Sequence, residues 1–312
     1  MSSRFAYQPK KYARQISKMV VSPSRPANQC QKDFLLTKEQ LKSISSRASI
    51  MPIINHVTAS PEIIVPPASS LAGQIQAVYD QGNVGSCTAN AFCQAFNILN
   101  VKNQTFSPSR LYIYARERQA EGARYHLSDS GGFEQDALAW ARTFGICSEQ
   151  SWPYIESRVN LIPPTTCDKD AVNHRILDVI EIASNDPATL LGKIKYALGI
   201  QKIPIMTAVG IYASFMSDSV AASGIVPLPT CQNYGDEYDP VDPFQGGHEV
   251  LAVGYDDSTQ KVLFVNSWGA NWGCKPASAN TRGYFWLDYA YLTNPQLAMS
   301  FYTFDKILFI NQ

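Results

Sequence analysis

Gln81-Gly82-Asn83-Val84-Gly85-Ser86-Cys87 runs directly into Thr88-Ala89-Asn90-Ala91-Phe92, and this junction decides how the chain is read. Ser86 suits a helix N-cap, and Ala91, Phe92, Ala95, Phe96 and Leu99 recur at helical spacing, which predicts a helix over residues 86–101 with one apolar stripe. A thiol in the first turn of that helix sits at the positive end of the helix dipole, which favours thiolate. The small residues Gly85 and Ser86 let a substrate backbone approach closely. Gln81 carries an amide donor which, with the Cys87 backbone N–H, could meet a developing oxyanion. A buried, inert thiol is the ordinary alternative for any single cysteine, so the motif gains meaning only with a base.

The base is found far downstream. Of the four histidines, His56, His126 and His174 have no supporting context, whereas Gly246-Gly247-His248-Glu249-Val250 enters an alternating apolar run. The segments HEVLAVGY and KVLFVNSW flank the turn-rich Asp256-Asp257-Ser258-Thr259-Gln260, which predicts a hairpin. The midpoint of positions 248 and 266 is 257, inside that turn, so His248 and Asn266 should lie opposite or diagonal on one face. An Asn amide there can fix the tautomer and orientation of the imidazole, as the third member of a catalytic triad does.

Around these motifs the first half of the chain reads as helical and the second as β-rich. Residues 108–121 and 133–144 are two further helix candidates, with Gly122 and Gly145 at their C-terminal ends. From about residue 175, short β-rich runs take over (ILDVIEI, IPIMTAVGI, HEVLAVGY, KVLFVNSW, GYFWLDY), an α+β pattern in two subdomains. Ahead of the body, residues 1–36 read as irregular, Thr37 and Gln40 fit a capping box for a short helix ending near Arg47, and residues 58–70 read as a linker with Pro61, Pro66 and Pro67.

QGNVGSC, GGHEVLAVGY and NSWGANWG followed by GYFWL resemble the papain-like (C1) cysteine peptidases. The GSCTANA form of the nucleophile motif is similar to bacterial and viral variants. A middle segment also resembles the family, with Gly131-Gly132 and then FGI and Trp152-Pro153-Tyr154. The resemblance implies a helical left subdomain and a β-barrel-like right subdomain with the active-site cleft between them. The catalytic domain would span 64–312, helical over about 64–172 and β-rich over about 173–312. It implies that Cys87 is the nucleophile, His248 the base, Asn266 its orienting partner and Gln81 the oxyanion-hole residue. Gly131 and Gly132 would pair with the substrate backbone on the non-prime side, Gly247 would wall the specificity pocket, and Trp268 would shield the His–Asn contact. Trp272 matches the second tryptophan of that motif and fits ordinary core packing equally well. The reaction implied is peptide hydrolysis through a thiolate–imidazolium pair and a thioester acyl-enzyme, on protein or peptide substrates, by a monomer without metal or other cofactor.

The chain departs from the pattern in places. Thr88 stands where the family has an aromatic residue, and Val84 where it has a disulfide cysteine. The six cysteines besides Cys87 allow about fifteen pairings, which sequence cannot choose among; Cys231 and Cys274, in two inserted loops flanking the hairpin, are the favoured pair. The first of these loops, residues 228–247, carries Asp236, Glu237, Asp239 and Asp242, which suggests a preference for basic residues on the leaving-group side.

Charge separates the chain into two parts. Its formal net charge is zero, yet residues 1–50 hold ten basic residues against two acidic ones (+8) and residues 51–312 hold 16 against 24 (−8). The acidic body gives no reason to expect nucleic-acid binding. No apolar run approaches the ~18 residues of a membrane span, and no signal peptide is visible, although the family resemblance favours a secreted or extracytoplasmic setting. Residues 1–63 are read as a basic prosegment, an inhibitor of its own cleft in a zymogen. Two alternatives to an endopeptidase remain: a catalytically silent papain-like binding module, and a Cys-His-Asn acyltransferase or amidase acting on a non-protein amide.

Overall fold

The first helix, α1 (Cys87–Leu99), is buried on every side except at Asn97 and Leu99. In a computed structural model of the chain, which describes residues 64–310 except 101, 102, 104 and 122–127, it forms the axis around which the rest is arranged. Its sequence, CTANAFCQAFNIL, has no proline or glycine and is β-branched only near its ends, so the backbone pays little to be helical. The expected single apolar stripe is therefore too narrow a description, since Thr88, Asn90 and Gln94 are also enclosed. Phe92 packs on Phe304 with ring centroids 5.3 Å apart, and Phe96 packs on Phe106 at 5.6 Å. Truncating a buried Phe of this kind costs about 3–5 kcal/mol.

Three more helices complete this half: α2 (Arg110–Glu121), α3 (Glu134–Thr143) and α4 (Thr165–Ala171). The end of α3 is set by Gly145, whose φ is 90° and whose place would put a Cβ 1.8 Å from the Ala171 carbonyl oxygen. Only glycine fits that approach. The expected helices at 108–121 and 133–144 are thus present, shortened by one or two residues at their starts.

The β half is an antiparallel sheet. Its strands are β1 (Ala68–Ser70), β3 (Val179–Glu181), β4 (Ile205–Tyr212), β5 (Phe244–Asp256), β6 (Lys261–Val265), β7 (Tyr284–Asp288) and β8 (Ala298–Phe304). The order is β3-β8-β4-β5-β6-β7, with β1 added to β5. Every residue of β4 is buried, as befits a strand covered on both faces. β5 is 13 residues long and serves two neighbours: its first part pairs with β4 and its last part with β6 and β1. A bulge between Ala252 and Gly254 changes its register with β6. Such an extra residue sharpens local twist.

The two halves exchange their ends. Residues 68–70, on the helical side of the expected division, pair with β5. A separate pair, β2 (His174–Ile176) with β9 (Ile307–Phe309), carries the C-terminal segment back to the helices. There Phe309 packs on Phe96 and Phe106 at 6.4 and 5.7 Å, and His174 stacks on Phe106 at 4.0 Å. His174 is thus a core residue. The remaining helices are α5 (Pro187–Tyr196), α6 (Asp218–Ser223) and α7 (Tyr289–Leu292).

The favoured Cys231–Cys274 pairing is not formed: both are free thiols, as are Cys87, Cys93, Cys147 and Cys167. Cys274 is held in a backbone bridge with Tyr284, which fixes it against β7. Cys30, the 37–47 helix and the rest of the basic arm lie outside the described residues. No helix among the described residues is long and apolar enough to cross a membrane.

Candidate active site

Cys87 opens α1 at the floor of a loop whose polar groups are almost all engaged. Gly82, with φ at 60°, makes the tight turn after Gln81, and its N–H donates to Asp80 Oδ1 at 2.9 Å. Gly85 N–H donates to Asp129 Oδ1 at 2.8 Å, and that same oxygen accepts from Tyr114 Oη at 2.7 Å. Ser86 occupies the N-cap position but does not cap: its hydroxyl is hydrogen-bonded to Tyr154 Oη at 2.7 Å and accepts from Asn90 Nδ2 at 3.0 Å. Tyr154 also donates to the Gln81 carbonyl at 2.9 Å, so the Trp152-Pro153-Tyr154 segment buttresses the loop that leads to Cys87. Arg110 lies between the rings of Tyr79 and Tyr154, 4.2 and 4.0 Å from their centroids.

His248 and Asn266 come together as the hairpin requires. His248 Nε2 and Asn266 Oδ1 are 2.9 Å apart, and Ser267 N–H donates to the same Oδ1 at 2.8 Å. An oxygen that already accepts from a backbone N–H marks Asn266 as oriented with its carbonyl toward the ring, so Nε2 carries the hydrogen and Nδ1 the lone pair. Nδ1 is buried without a partner. It is the atom left to act as base. The indole of Trp268 stacks on the imidazole, centroids 4.9 Å apart at 22°, and covers the pair from water. Trp272 crosses Trp268 edge-on at 5.0 Å and stacks on Phe215 at 6.0 Å, a packing role behind the first indole.

Cys87 approaches from the helical half, and no hydrogen bond joins its sulfur to His248 Nδ1. Its side chain packs against Ala208 of β4, whose cross-strand partner on β5 is Glu249, the residue after His248. The two sides are tied by Ser267, which sequence reasoning did not single out. Gln81 N–H donates to the Ser267 carbonyl at 2.9 Å, and Ser267 Oγ donates to Gln81 Oε1 at 2.5 Å. Gln81 Nε2 gives one hydrogen to the Val84 carbonyl at 2.9 Å, which leaves its second hydrogen for another acceptor. The place of Ser267 directly after Asn266 is the one-dimensional cue to this clamp.

The electrostatics differ from the expected thiolate–imidazolium pair. Burial pushes the Cys87 thiol up to about 12, with smaller upward contributions from the charges of Glu249 and Glu117; backbone hydrogen bonds from Glu249 and Thr88 oppose them. Burial takes His248 down to about 4, against the Asn266 bond, which favours protonation. Both shifts favour neutral thiol and neutral imidazole. The helix dipole is outweighed because neither group meets water.

The glycine pair lies beside this centre. Gly131, at φ 81°, donates its N–H to Tyr114 Oη at 3.0 Å. A Cβ on Gly132 would lie 2.4 Å from Glu117 Oε1, so any side chain there would displace the Glu117 carboxyl. Gly247 is buried and faces Gly210 across β4 and β5. The acidic loop is largely committed to itself. Asp239 accepts from the backbone of Gln232, Asn233, Val241 and Asp242, and Asp242 accepts from Ser214 and Thr230. These two carboxylates hold the loop, and Asp236 also accepts from Tyr238 N–H at 2.8 Å. Among the described residues no group of His, Cys, Asp and Glu side chains could hold a metal ion.

Comparison with known proteins places the chain in a family. The profile of the papain family cysteine proteases matches residues 68–291. An uncharacterised peptidase C1-like protein of Acanthamoeba polyphaga mimivirus is 30% identical over 285 residues, covering 88% of this chain and 84% of the viral one. Among solved structures, xylellain, a cysteine protease from Xylella fastidiosa, superposes with a TM-score of 0.64 at 32% identity, covering 83% of this chain and 95% of its own. Digestive procathepsin L 3 from the Tenebrio molitor larval midgut has a TM-score of 0.59 at 20% identity over 83% of this chain and 75% of its own, a likeness of fold.

Proposed function

Since the chain belongs to the papain family of cysteine proteases, we propose that it is an endopeptidase in which Cys87, His248 and Asn266 form the triad and Gln81 the oxyanion hole. The observation that carries this reading is the orphaned Nδ1 of His248. Its partner nitrogen is consumed by Asn266, and it is buried with nothing to bond. A buried acceptor left empty costs about 1–3 kcal/mol, a cost that makes sense if a thiol proton is its partner.

In the resting site the proton stays on Cys87 sulfur. As the thiol meets a peptide carbonyl, the proton passes to His248 Nδ1 and sulfur bonds to the carbonyl carbon. The carbonyl oxygen becomes an oxyanion, met by the spare Gln81 Nε2 hydrogen and the Cys87 backbone N–H. His248 returns the proton to the leaving amine, which departs and leaves a thioester. Water, deprotonated by the same Nδ1, then releases the acid and restores the thiol. Gly132 has no hydrogen bond on its own N–H or C=O among the described residues, which suits it to pair with an extended substrate chain.

The arm of residues 1–63 is read as a prosegment, supported by the +8 charge of residues 1–50 against −8 over residues 51–312 and by a fold shared with a procathepsin. Labelling by a thiol-directed epoxide, lost in Cys87→Ala, together with peptide-library cleavage, tests the endopeptidase. Epoxide labelling without peptide cleavage would favour an amidase acting elsewhere.

A further inference from the structure

Asp129 joins the loop that leads to Cys87 to the segment that carries the glycine pair. Its Oδ1 accepts from Gly85 N–H at 2.8 Å and from Tyr114 Oη at 2.7 Å. The same phenol oxygen accepts from Gly131 N–H at 3.0 Å. One chain of hydrogen bonds thus runs from Gly85 through Asp129 and Tyr114 to Gly131. Both roles of the Tyr114 hydroxyl are spent in it, as donor to the carboxyl and acceptor from the amide. Burial, and then the charge of Asp129, push this phenol well above its ordinary value, so it keeps the hydrogen it donates.

Helix α2 holds the chain from behind. Tyr114 and Arg118, one turn apart, are both fully buried, and the guanidinium lies 4.0 Å from the centre of the Tyr114 ring. Arg118 also donates to the Ser128 carbonyl, and to the Val159 carbonyl at 2.5 Å. Ser130 N–H closes a turn on the Ser128 carbonyl at 3.0 Å, and Gly131 follows at φ 81°, where glycine is favoured. The Gly131 amide is therefore spent on Tyr114, and Gly132 is the member of the pair whose backbone is left for a substrate. At the other end, Val84 beside Gly85 carries no thiol with which to cross-link the loop. A shared acceptor supplies a tie in its place. Gly85 and Tyr114 bond to one oxygen, so a shift at either end is felt at the other.

We propose that Asp129 and Tyr114 are positioning residues that hold Gly132 and Cys87 in a common register, so that a peptide long enough to reach both meets the nucleophile correctly placed. The link rests on the peptidase reading of Cys87 for its role in the reaction. A substrate too short to reach Gly132 does not depend on that register.

The test uses the full chain and Tyr114→Phe, which keeps the ring under Arg118 and removes only the hydroxyl. Tyr114 does not touch Gly85. In the Cys87→Ala background, amide hydrogen exchange resolved by NMR should nonetheless speed up at Gly85 by about threefold or more, as well as at Gly131. With Cys87 present, Tyr114→Phe should lower kcat/KM about tenfold for a peptide with several residues before the scissile bond, and no more than about twofold for a single-residue amide. Asp129→Ala should lower the long-peptide rate similarly and add little to Tyr114→Phe, whereas Asp129→Asn, which retains a carbonyl oxygen, should keep most of it. A general loss of structure would slow both substrates alike. Equal losses on the two substrates, or an unchanged Gly85 exchange rate, overturns the link while leaving the peptidase intact. A Gly85 amide that responds to Tyr114→Phe in a chain that hydrolyses neither substrate would uphold the link and remove the peptidase.

Discussion

His248 and Asn266 are joined by one hydrogen bond, 2.9 Å from Nε2 to Oδ1, and Oδ1 is held in place by the Ser267 N–H at 2.8 Å. The amide therefore fixes the ring tautomer through an acceptor that cannot flip without losing a backbone bond. Asn266→Ala removes that acceptor and leaves Nε2–H buried and unpaired. The expected loss is about 1–3 kcal/mol of transition-state stabilisation, roughly ten- to hundredfold in kcat/KM. It should fall mainly on kcat. Steady-state kinetics on one fluorogenic peptide checks this, and an unchanged kcat would remove Asn266 from the triad.

Ser267 is expected to act through Gln81. Its hydroxyl bond to Gln81 Oε1 fixes the amide whose remaining hydrogen is proposed to meet the oxyanion. Ser267→Ala keeps the backbone bonds to Asn266 and Gln81 but frees the Gln81 side chain. We expect kcat to fall about five- to thirtyfold with KM little changed, since about 1–2 kcal/mol of positioning is lost. In a double-mutant cycle, Gln81→Ala should remove most of the further effect of Ser267→Ala. Additive losses would show that the two residues act separately.

How far the sequence reaches is seen in this pair of contacts. Asn266 was legible because the hairpin turn lies midway between 248 and 266, and a local turn carries its own chemistry. The register is finer than that symmetry: Leu251 pairs with Val265 but Gly254 pairs with Leu263, because the bulge inserts a residue. His248 and Asn266 are consequently diagonal, within the expected reach. The α1 helix was equally legible, since apolar periodicity is local, although Ser86 stands at its N-cap without capping. Ser267, the buried carboxyls and the exchanged chain ends were not. Glu117, Glu134 and Glu249 come from three elements, and the three-residue strands β1 and β9 carry no local sign of their partners. The burial that raises the Cys87 pKa was not legible for the same reason: it is tertiary, whereas a helix dipole is a local feature.

The buried groups give stability two opposing pH dependences. His248 is held near 4 when folded, below its ordinary 6.5, so between those values the unfolded chain binds a proton that the folded chain refuses. Stability therefore falls as pH drops from about 6.5 toward 4, by on the order of 3 kcal/mol in full. His248→Gln should lose less over that window, read as Tm against pH. Glu249 has the other sign. Its raised pKa means that the folded chain keeps a proton the unfolded chain releases, so stability is lost as pH rises above the ordinary carboxyl range. Glu249→Gln should raise Tm at pH 7 and give no gain near pH 4. A gain equal at both pH values would mean that Glu249 is not ionisation-linked to folding.

The charge asymmetry of the chain leads to the last expectation. A +8 segment over residues 1–50 precedes a −8 remainder, and opposite charges of this size steer association at low salt. Over a Debye length of about 8 Å at physiological ionic strength, that attraction is largely screened. If charge alone held the arm over the cleft, inhibition would vanish with added salt. If apolar anchors such as Phe34, Leu35 and Leu41 supply most of the affinity, inhibition should persist through 0.5 M salt with only the association rate reduced, roughly as expected when steering is screened. We expect a chain beginning near residue 64 to hydrolyse peptide at least about tenfold faster than the full chain before any cleavage of the linker, an increase that corresponds to about 1.4 kcal/mol of occlusion. Adding residues 1–63 in trans should restore inhibition at both salt concentrations. Equal initial rates for the two chains would mean that the arm does not cover Cys87.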